Sequence, residues 1–503
     1  MFLCPHPLLP LCICYPASVS FRQPEPLAHV AGRLALQYCL APGHRPQAGK
    51  TPWRKRVKLI LIKPNIGRQE HSLYVDEGRM EPLMLGVLAG LTPPDVEVVL
   101  YDDRMEAIPY DEQADLVAIT VETFTARRAY EIAAEYRARD VRVVMGGIHA
   151  TLLPEEVAQH CDSIFTGDAE TRWTEMIRDA EKGRLKPRYD APAGVGQVDH
   201  NLCGCLPRRD IFRGKGYLPI SLMQFTRGCR FACRFCAVSR YFGRQHYIRR
   251  IDEVVREIET QKPKFIFFVD DNIASDHRGL SELCSALIPL NVHWISQASL
   301  DMTRNRRLMS LLQQSGCWGN VMGFESINPD SLRDARKSPN MRIFSQYREE
   351  ISVLRDFGLQ TWAAFTLGYD HDTAETVEDT VAFALKNRFA FAAYNILMPY
   401  PNTPLYQQLA QENRLLFDGK WWLHPEYRFN QAAFQPANMS PETLTELCHA
   451  ARSRFNSVPS IIRRFSDLRL TLQSLSRMAT FWRYTLLFRK EVHKKHRMRF
   501  GLK

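Results

Sequence analysis

The sequence predicts two α/β units in tandem: a doubly wound, Rossmann-like parallel sheet, then a partial TIM-type (β/α) barrel of six strands, with a helical C-terminal region. Three observations predict this. Short apolar runs alternate with helix-like segments from residue 57 to about 180, and a second such series runs from 219 to 398. Strands separated by helical segments build parallel sheets. Between the two series, residues 186–217 hold Pro187, Pro192, Gly194, Gly196, Pro207, Gly214 and Gly216 with no regular period, which marks a linker. With 503 residues, 45% hydrophobic and 24% charged, the chain can bury several cores. Disorder, collagen and coiled coil are excluded. No run approaches the roughly 18 to 20 apolar residues that a bilayer span needs.

The elements follow in order. In residues 1–56, Pro5, Pro7, Pro10, Pro16, Pro24 and Pro26 break every apolar run, and no basic residue precedes the apolar stretch at 8–15. This segment reads as an unstructured leader or an over-long start, not an export signal. Residues 57–185 form the first unit. Its strands are expected at 57–63, 96–100, 116–121, 141–145 and 163–166, with helices at 81–91 and about 125–139. Continuous apolar runs of this length suit strands buried on both faces. Residues 218–405 form the barrel, with strands at 219–226, 265–270, 293–299, 319–324, 361–367 and 393–398. Its reactive face belongs at the strand C-termini.

Residues 406–503 begin with an aromatic segment (Trp421, Trp422, Tyr427, Phe429) and end in basic helix. Positions 451–503 carry 14 of the 66 Lys and Arg and only Asp467 and Glu491 as acids, so the net +11 sits in this tail. The remaining body is near neutral. It lacks the electrostatic footprint of a nucleic-acid binder, and none is expected as a partner. Leu472, Leu475, Met478, Trp482 and Leu486 recur every three or four residues among Arg477, Arg483, Arg489 and Lys490, as in an amphipathic helix. Its apolar stripe is expected to dock on the barrel. Peripheral contact with an anionic membrane is the other reading. The 13 cysteines are too few for a disulfide scaffold, so a cytoplasmic setting is expected.

The chemistry is concentrated in Cys229-Arg-Phe-Ala-Cys233-Arg-Phe-Cys236, on the loop after the first barrel strand. Three thiolates so spaced can hold three corners of a [4Fe-4S] cubane and leave one iron open to substrate. Zinc, with a fourth ligand from Cys203, Cys205 or His246, is the alternative.

The motif, its position, and the aromatic residue before the last Cys resemble the radical S-adenosylmethionine (SAM) enzymes. The resemblance implies that the open iron chelates SAM, that an electron cleaves it to a 5′-deoxyadenosyl radical, and that Phe235 lies against the adenine. The strand ends match the looser motifs of that family. Asp270-Asp271-Asn272, Gln297 and Ser299 would give polar contacts, Gly323-Phe324-Glu325-Ser326 the ribose site, and Gly368-Tyr369-Asp370 a further contact. A strand-end carboxylate is as often a helix N-cap as a ligand, and the shared rim is what links these residues.

The first unit ends its strands in Asp102-Asp103, Thr120-Val-Glu122-Thr123, Gly146-Gly147-Ile-His149-Ala-Thr151 and Gly167-Asp168-Ala-Glu170. It resembles the cobalamin-binding domain fused before the barrel in a large subgroup of that family, a resemblance covering 57 to about 440. Asp103, Thr120, Glu122, Gly146, Gly147, His149, Thr151, Gly167 and Glu170 are the implied cobalamin contacts. The sequence holds no Asp-x-His-x-x-Gly, so no lower cobalt ligand of that kind exists. His149 is expected near the corrin side chains or nucleotide tail, and Asp168 departs from the Glu more usual there.

The resemblance implies a cobalamin-dependent radical SAM methyltransferase. One SAM would methylate cobalt, a second would give the radical that removes hydrogen from an unactivated carbon, and methylcobalamin would return the methyl group. The implied partners are a small-molecule or lipid substrate and an external electron donor such as flavodoxin or ferredoxin. A non-methylating oxidation or cyclisation on the same scaffold and a non-enzymatic cobalamin sensor are the alternatives. A methylthiotransferase is not expected, because Cys161 is the one Cys between 57 and 200 and cannot hold a second cluster.

Overall fold

The computed structural model describes residues 57–67, 80–190, 205–467 and 469–502. The expected leader at 1–56 and residues 191–204 of the expected linker lie outside them. The first sheet contains β1 (Lys58–Lys63), β2 (Glu97–Asp102), β3 (Leu116–Thr120), β4 (Arg142–Gly146), β5 (Ser163–Thr166) and β6 (Arg188–Asp190). Its order is β2-β1-β3-β4-β5-β6 and every pair is parallel. Leu59 to Ile62 are completely buried because both faces are covered. Ile60 and Ile62 pack toward the helix Ala126–Arg137, while Leu59 and Leu61 pack toward the helices Leu83–Leu91 and Trp173–Glu181. The order reverses between β1 and β3, and that reversal opens a crevice at their carboxyl ends. Strand β6 falls inside the stretch expected to be linker, so the sheet is one strand wider than its sequence pattern suggests.

The second sheet is the partial barrel. It starts with β7 (Ser221–Met223), and the chain then leaves the sheet for an antiparallel hairpin of β8 (Thr226–Gly228) and β9 (His246–Ile248). The barrel continues with β10 (Phe265–Phe268), β11 (His293–Ala298), β12 (Cys317–Glu325), β13 (Gln360–Leu367) and β14 (Phe391–Ile396), in the order β14-β13-β12-β11-β10-β7. Along β13, Thr361, Ala363, Phe365 and Leu367 are buried while their neighbours are half-buried. The buried set faces the outer helices, and the other set faces the lumen. The strand expected at 219–226 is thus two strands, with β8 turned out to lead into the cysteine loop.

The C-terminal region returns to both sheets. Trp421, Trp422, Tyr427, Phe429, Met498 and Phe500 join the core over the first sheet. The helix Leu475–Lys494 docks on the barrel, but by a different face from the expected stripe. Leu475, Trp482 and Leu486 are exposed (82%, 36% and 56%), and Leu472 precedes the helix. The docked residues are Phe481, Tyr484, Leu487 and Phe488. The helix is apolar on more than one side, and periodicity alone selects the wrong row. Among the described residues no helix is long and apolar enough to cross a membrane.

Candidate functional site

Strand β8 delivers the chain to Cys229, and the backbone folds back so that the N–H of Cys236 meets the carbonyl of Cys233 at 3.2 Å. Cys229 Sγ receives Asn272 Nδ2 at 3.7 Å and Ser275 Oγ at 3.8 Å. Burial pushes the Cys233 thiol up to about 12; the Lys337 ammonium opposes this, while Cys236 and Cys229 add to it. Burial also raises the Cys236 thiol, against hydrogen bonds from Ser239. The three thiols are therefore neighbours that feel one another's charge. Among the described residues, no three His, Cys, Asp or Glu side chains close around a single metal ion. Cys205 lies against Val87 in the first unit, and His246 faces Asp276.

The rim residues fall into two groups. One group is turned toward the loop. Asn272 accepts from Ser299 N (3.0 Å) and thereby ties β11 to Cys229, and Gln297 donates to the Asp270 carbonyl at 3.1 Å. Glu325, with φ of +62°, bonds Lys337 Nζ at 2.8 Å and accepts from Thr366 Oγ1 at 2.9 Å. Burial works against the charge on Lys337, but Glu325 and Cys233 hold its pKa above the usual lysine range. Phe235 meets Tyr369 edge-on at 6.3 Å beside a cavity of about 180 Å³.

The other group is structural. Asp270 is buried and accepts the backbone N–H groups of Phe225 and Thr226; burial raises its pKa to about 7. Ser326 accepts from Asn328 N, Gly368 N donates to Asp372, and Asp370 pairs with Arg414 at 2.6 Å.

Lys337 is the residue that strand-end reading misses. It precedes the short helix Ser338–Met341, and only the fold brings it beside Cys233 and Glu325. No motif in the sequence marks it.

At the carboxyl edge of the first sheet, most of the expected contacts already hold protein partners. Asp103 forms a two-bond pair with Arg128 at 2.8 and 2.9 Å. Glu122 pairs with Lys63 at 2.5 Å. His149 is fully buried, with Nδ1 3.2 Å from Thr123 Oγ1 and Nε2 3.3 Å from Glu156. Burial opposes ionisation of Glu156, yet bonds from His149, Trp422 and Lys420 hold its carboxyl down to about 2. Thr151 Oγ1 donates to the Gly147 carbonyl and accepts from Gly167 N. Thr120, Gly146, Gly147 and Gly167 are the expected contacts for which no such side-chain pairing decides the role. Gly147 has φ of +108°, and a Cβ there would lie 3.0 Å from the Val121 carbonyl, so this turn needs glycine.

Asp168 and Glu170 reach across to the barrel. Arg227, two residues before Cys229, bonds Asp168 at 3.1 Å and Glu170 at 2.5 Å. Tyr241 donates to Asp168 at 3.0 Å, and Asn402, after β14, donates to the Leu152 carbonyl after β4. The carboxyl edges of the two sheets therefore face each other.

Two family matches decide what this arrangement is. Residues 223–384 match the Radical SAM superfamily and residues 84–176 the B12 binding domain. Bacteriochlorophyllide d C-12(1)-methyltransferase of Chlorobaculum tepidum is 30% identical over 407 residues, covering 78% of this chain and 86% of that protein. The chain belongs to the radical SAM family that carries a B12 binding domain. Bacteriochlorophyllide d C-8(2)-methyltransferase of the same organism is 30% identical over 363 residues, covering 68% and 80%. The structure of TsrM from Kitasatospora setae with cobalamin and [4Fe-4S] bound shares the fold at a TM-score of 0.58 and 17% identity. That match covers 87% of this chain and 99% of TsrM.

For a radical SAM enzyme of this family the implied cofactors are a [4Fe-4S] cluster, SAM and cobalamin, and the residues present suit them. Three soft thiols with an amide, a hydroxyl and an ammonium around them match an anionic cluster. The glycine turn after β4 lies at the carboxyl edge of the sheet, where doubly wound sheets bind their ligands.

Proposed function

We propose that this radical SAM enzyme transfers a methyl group to an unactivated carbon of an apolar small molecule or lipid. The carrying observation is the opposition of the two carboxyl edges, clamped by Arg227 between Asp168 and Glu170. When bound, the cluster and SAM supply radical chemistry and cobalamin supplies the methyl group. Cys229, Cys233 and Cys236 would hold the cluster. Phe235 and Tyr369 would wall the adenine, and the Glu325–Lys337 pair would meet the ribose and carboxylate of SAM. Thr120, Gly146, Gly147 and Gly167 would admit cobalamin at the backbone, while Asp103, His149, Thr151 and Glu170 brace the turns around it. Because the edges face each other, a substrate between them meets both cofactors while the packed domains limit water.

The catalytic cycle needs an external electron donor, for which a small flavin or iron–sulfur protein is the chemical class. An apolar substrate also accords with the surface of the tail. Val458 and Ile462 on the helix Val458–Phe465 and Trp482 and Leu486 on the C-terminal helix are all exposed, and Phe465 joins the two helices at 4.9 Å from Trp482. Exposed Arg463, Arg483 and Lys490 lie among them, a composition suited to the surface of an anionic membrane.

The test supplies reconstituted protein with methyl-labelled SAM, reductant, cobalamin and a lipid extract. Label in a carbon-bound methyl of one product is expected. A product lacking hydrogen but carrying no label would establish oxidation or cyclisation instead. Unchanged substrate with no 5′-deoxyadenosine would leave a cobalamin-binding sensor.

A further inference from the structure

We infer that Asp168 couples the two cofactor sites, so that a ligand seated on the glycine turns of the first sheet tightens the grip of the cysteine loop on SAM. The inference rests on the proposed reading of those turns as the cobalamin edge and of the loop as the cluster site. Asp168 follows Gly167 after β5, and each of its carboxylate oxygens holds one flank of the cysteine loop. Oδ2 lies 3.1 Å from Nη1 of Arg227, two residues before Cys229. Oδ1 accepts at 3.0 Å from the hydroxyl of Tyr241, five residues after Cys236. A carboxylate can serve two donors in this way, whereas an amide would offer a single oxygen.

The loop needs such anchors because the elements that carry it are short. The hairpin of β8 and β9 is a two-stranded sheet apart from the barrel, with three residues in each strand. The helix Ala237–Phe242, which starts directly after Cys236, has no fully buried residue. Neither element is stable by itself. The barrel pins the middle of the loop: Arg234 N donates to the Ala335 carbonyl at 3.0 Å, and the Arg234 carbonyl accepts from Leu405 N at 3.1 Å. The flanking side chains at 227 and 241 are held from the first unit instead. Arg227 is 16% exposed and also bonds Glu170 at 2.5 Å and, through Nε, Gln224 at 2.7 Å, so solvent screens these pairs only weakly.

The other end of the path lies in the glycine turns. Gly167 N donates to Thr151 Oγ1 at 2.9 Å, and Thr151 donates to the Gly147 carbonyl at 3.0 Å, so the turns after β4 and β5 are tied together next to Asp168. Thr151 also stands beside the Tyr241 phenol, and the helices Ile148–Leu152 and Ala237–Phe242 lie against each other. A ligand resting on the backbone of Gly147 and Gly167 restricts both turns, and with them Asp168. The flanks of the cysteine loop then lose freedom before SAM arrives, and less ordering is left for SAM to impose. The coupling is reciprocal, so SAM tightens cobalamin by the same factor.

The test uses the full-length protein with an oxidised cluster and no reductant, so that binding is read without turnover. Binding of labelled SAM is measured by equilibrium dialysis with and without saturating hydroxocobalamin, in wild type, Asp168→Ala and Tyr241→Phe. Wild type should bind SAM about fivefold or more tightly when hydroxocobalamin is present. Asp168→Ala, in which Arg227 keeps Glu170 and Gln224, should bring the two affinities to within about twofold of each other. Tyr241→Phe, nearly isosteric, frees one flank and should fall between; it serves if Asp168→Ala does not fold. A merely structural Asp168 would weaken SAM in both states and leave their ratio unchanged. Equal affinities in wild type, or an undiminished ratio in the folded variants, overturns the coupling. In the cofactor-free protein, Asp168→Ala should speed amide exchange at 226–229 and at 237–242, and unchanged exchange at both also overturns it. A wild type that takes up no cluster or no hydroxocobalamin defeats the two-cofactor reading and the coupling with it, whereas a loaded wild type with equal affinities defeats the coupling alone.

Discussion

Lys337 and Glu156 show how single charges are held in this molecule. Lys337 is half-buried against Glu325 and beside Cys233, where its charge can balance an anionic cluster and a carboxylate ligand. Lys337→Met should keep the iron content of the reconstituted protein and lower 5′-deoxyadenosine formation roughly 10- to 100-fold. Loss of iron together with activity would make it a structural residue instead. Glu156 is held by His149, Trp422 and Lys420 to about 2, against an ordinary value of 4.5. A depressed carboxyl stabilises the fold above its unfolded value and loses that contribution as pH falls toward the folded one. Glu156→Gln should therefore unfold at lower denaturant than wild type at pH 7, with the gap closing as pH drops from about 4.5 to about 2. A gap independent of pH would contradict this ion-pair account. At this scale the three cysteines stood out because three thiols at that spacing are rare, whereas Glu325 stood out only as one strand-end carboxylate among several. Asp103 and Glu170 were legible as strand-end acids but not as ion-pair partners. A buried carboxylate needs a cation, and Arg128 and Arg227 come from elements the sequence does not place nearby.

The elements themselves were read well where burial on both faces forces a continuous apolar run, as in β1, or strict alternation, as in β13. Two were not. Strand β6 is Arg-Tyr-Asp, three residues at a sheet edge with one buried side chain, and so short a segment carries no period. The C-terminal helix carries apolar residues on two sides, and a 3.6-residue period does not say which side meets the barrel. The side left exposed has its own consequence. Ile462→Glu with Leu486→Glu should abolish sedimentation with phosphatidylglycerol-rich vesicles and leave the melting temperature unchanged, since both side chains are more than half exposed. Undiminished binding would assign the membrane contact elsewhere, or remove it if wild type does not bind either.

For the whole molecule, alternation of strands and helices was enough to foresee two parallel sheets, but not how they meet. The contact depends on side chains distant in sequence: Arg227 with Asp168 and Glu170, and Asn402 with the Leu152 carbonyl. The return of Trp421, Trp422 and Phe500 to the first sheet likewise joins parts of the chain that no local pattern relates. All of it serves a thiol triad at the junction. The most direct measurement is anaerobic reconstitution with iron and sulfide, read by electron paramagnetic resonance of the reduced protein before and after adding SAM. The account predicts a cubane signal that changes on SAM binding in wild type and is lost in Cys229→Ala, Cys233→Ala and Cys236→Ala. A folded wild-type protein that takes up no cluster, or whose signal ignores SAM, would contradict it.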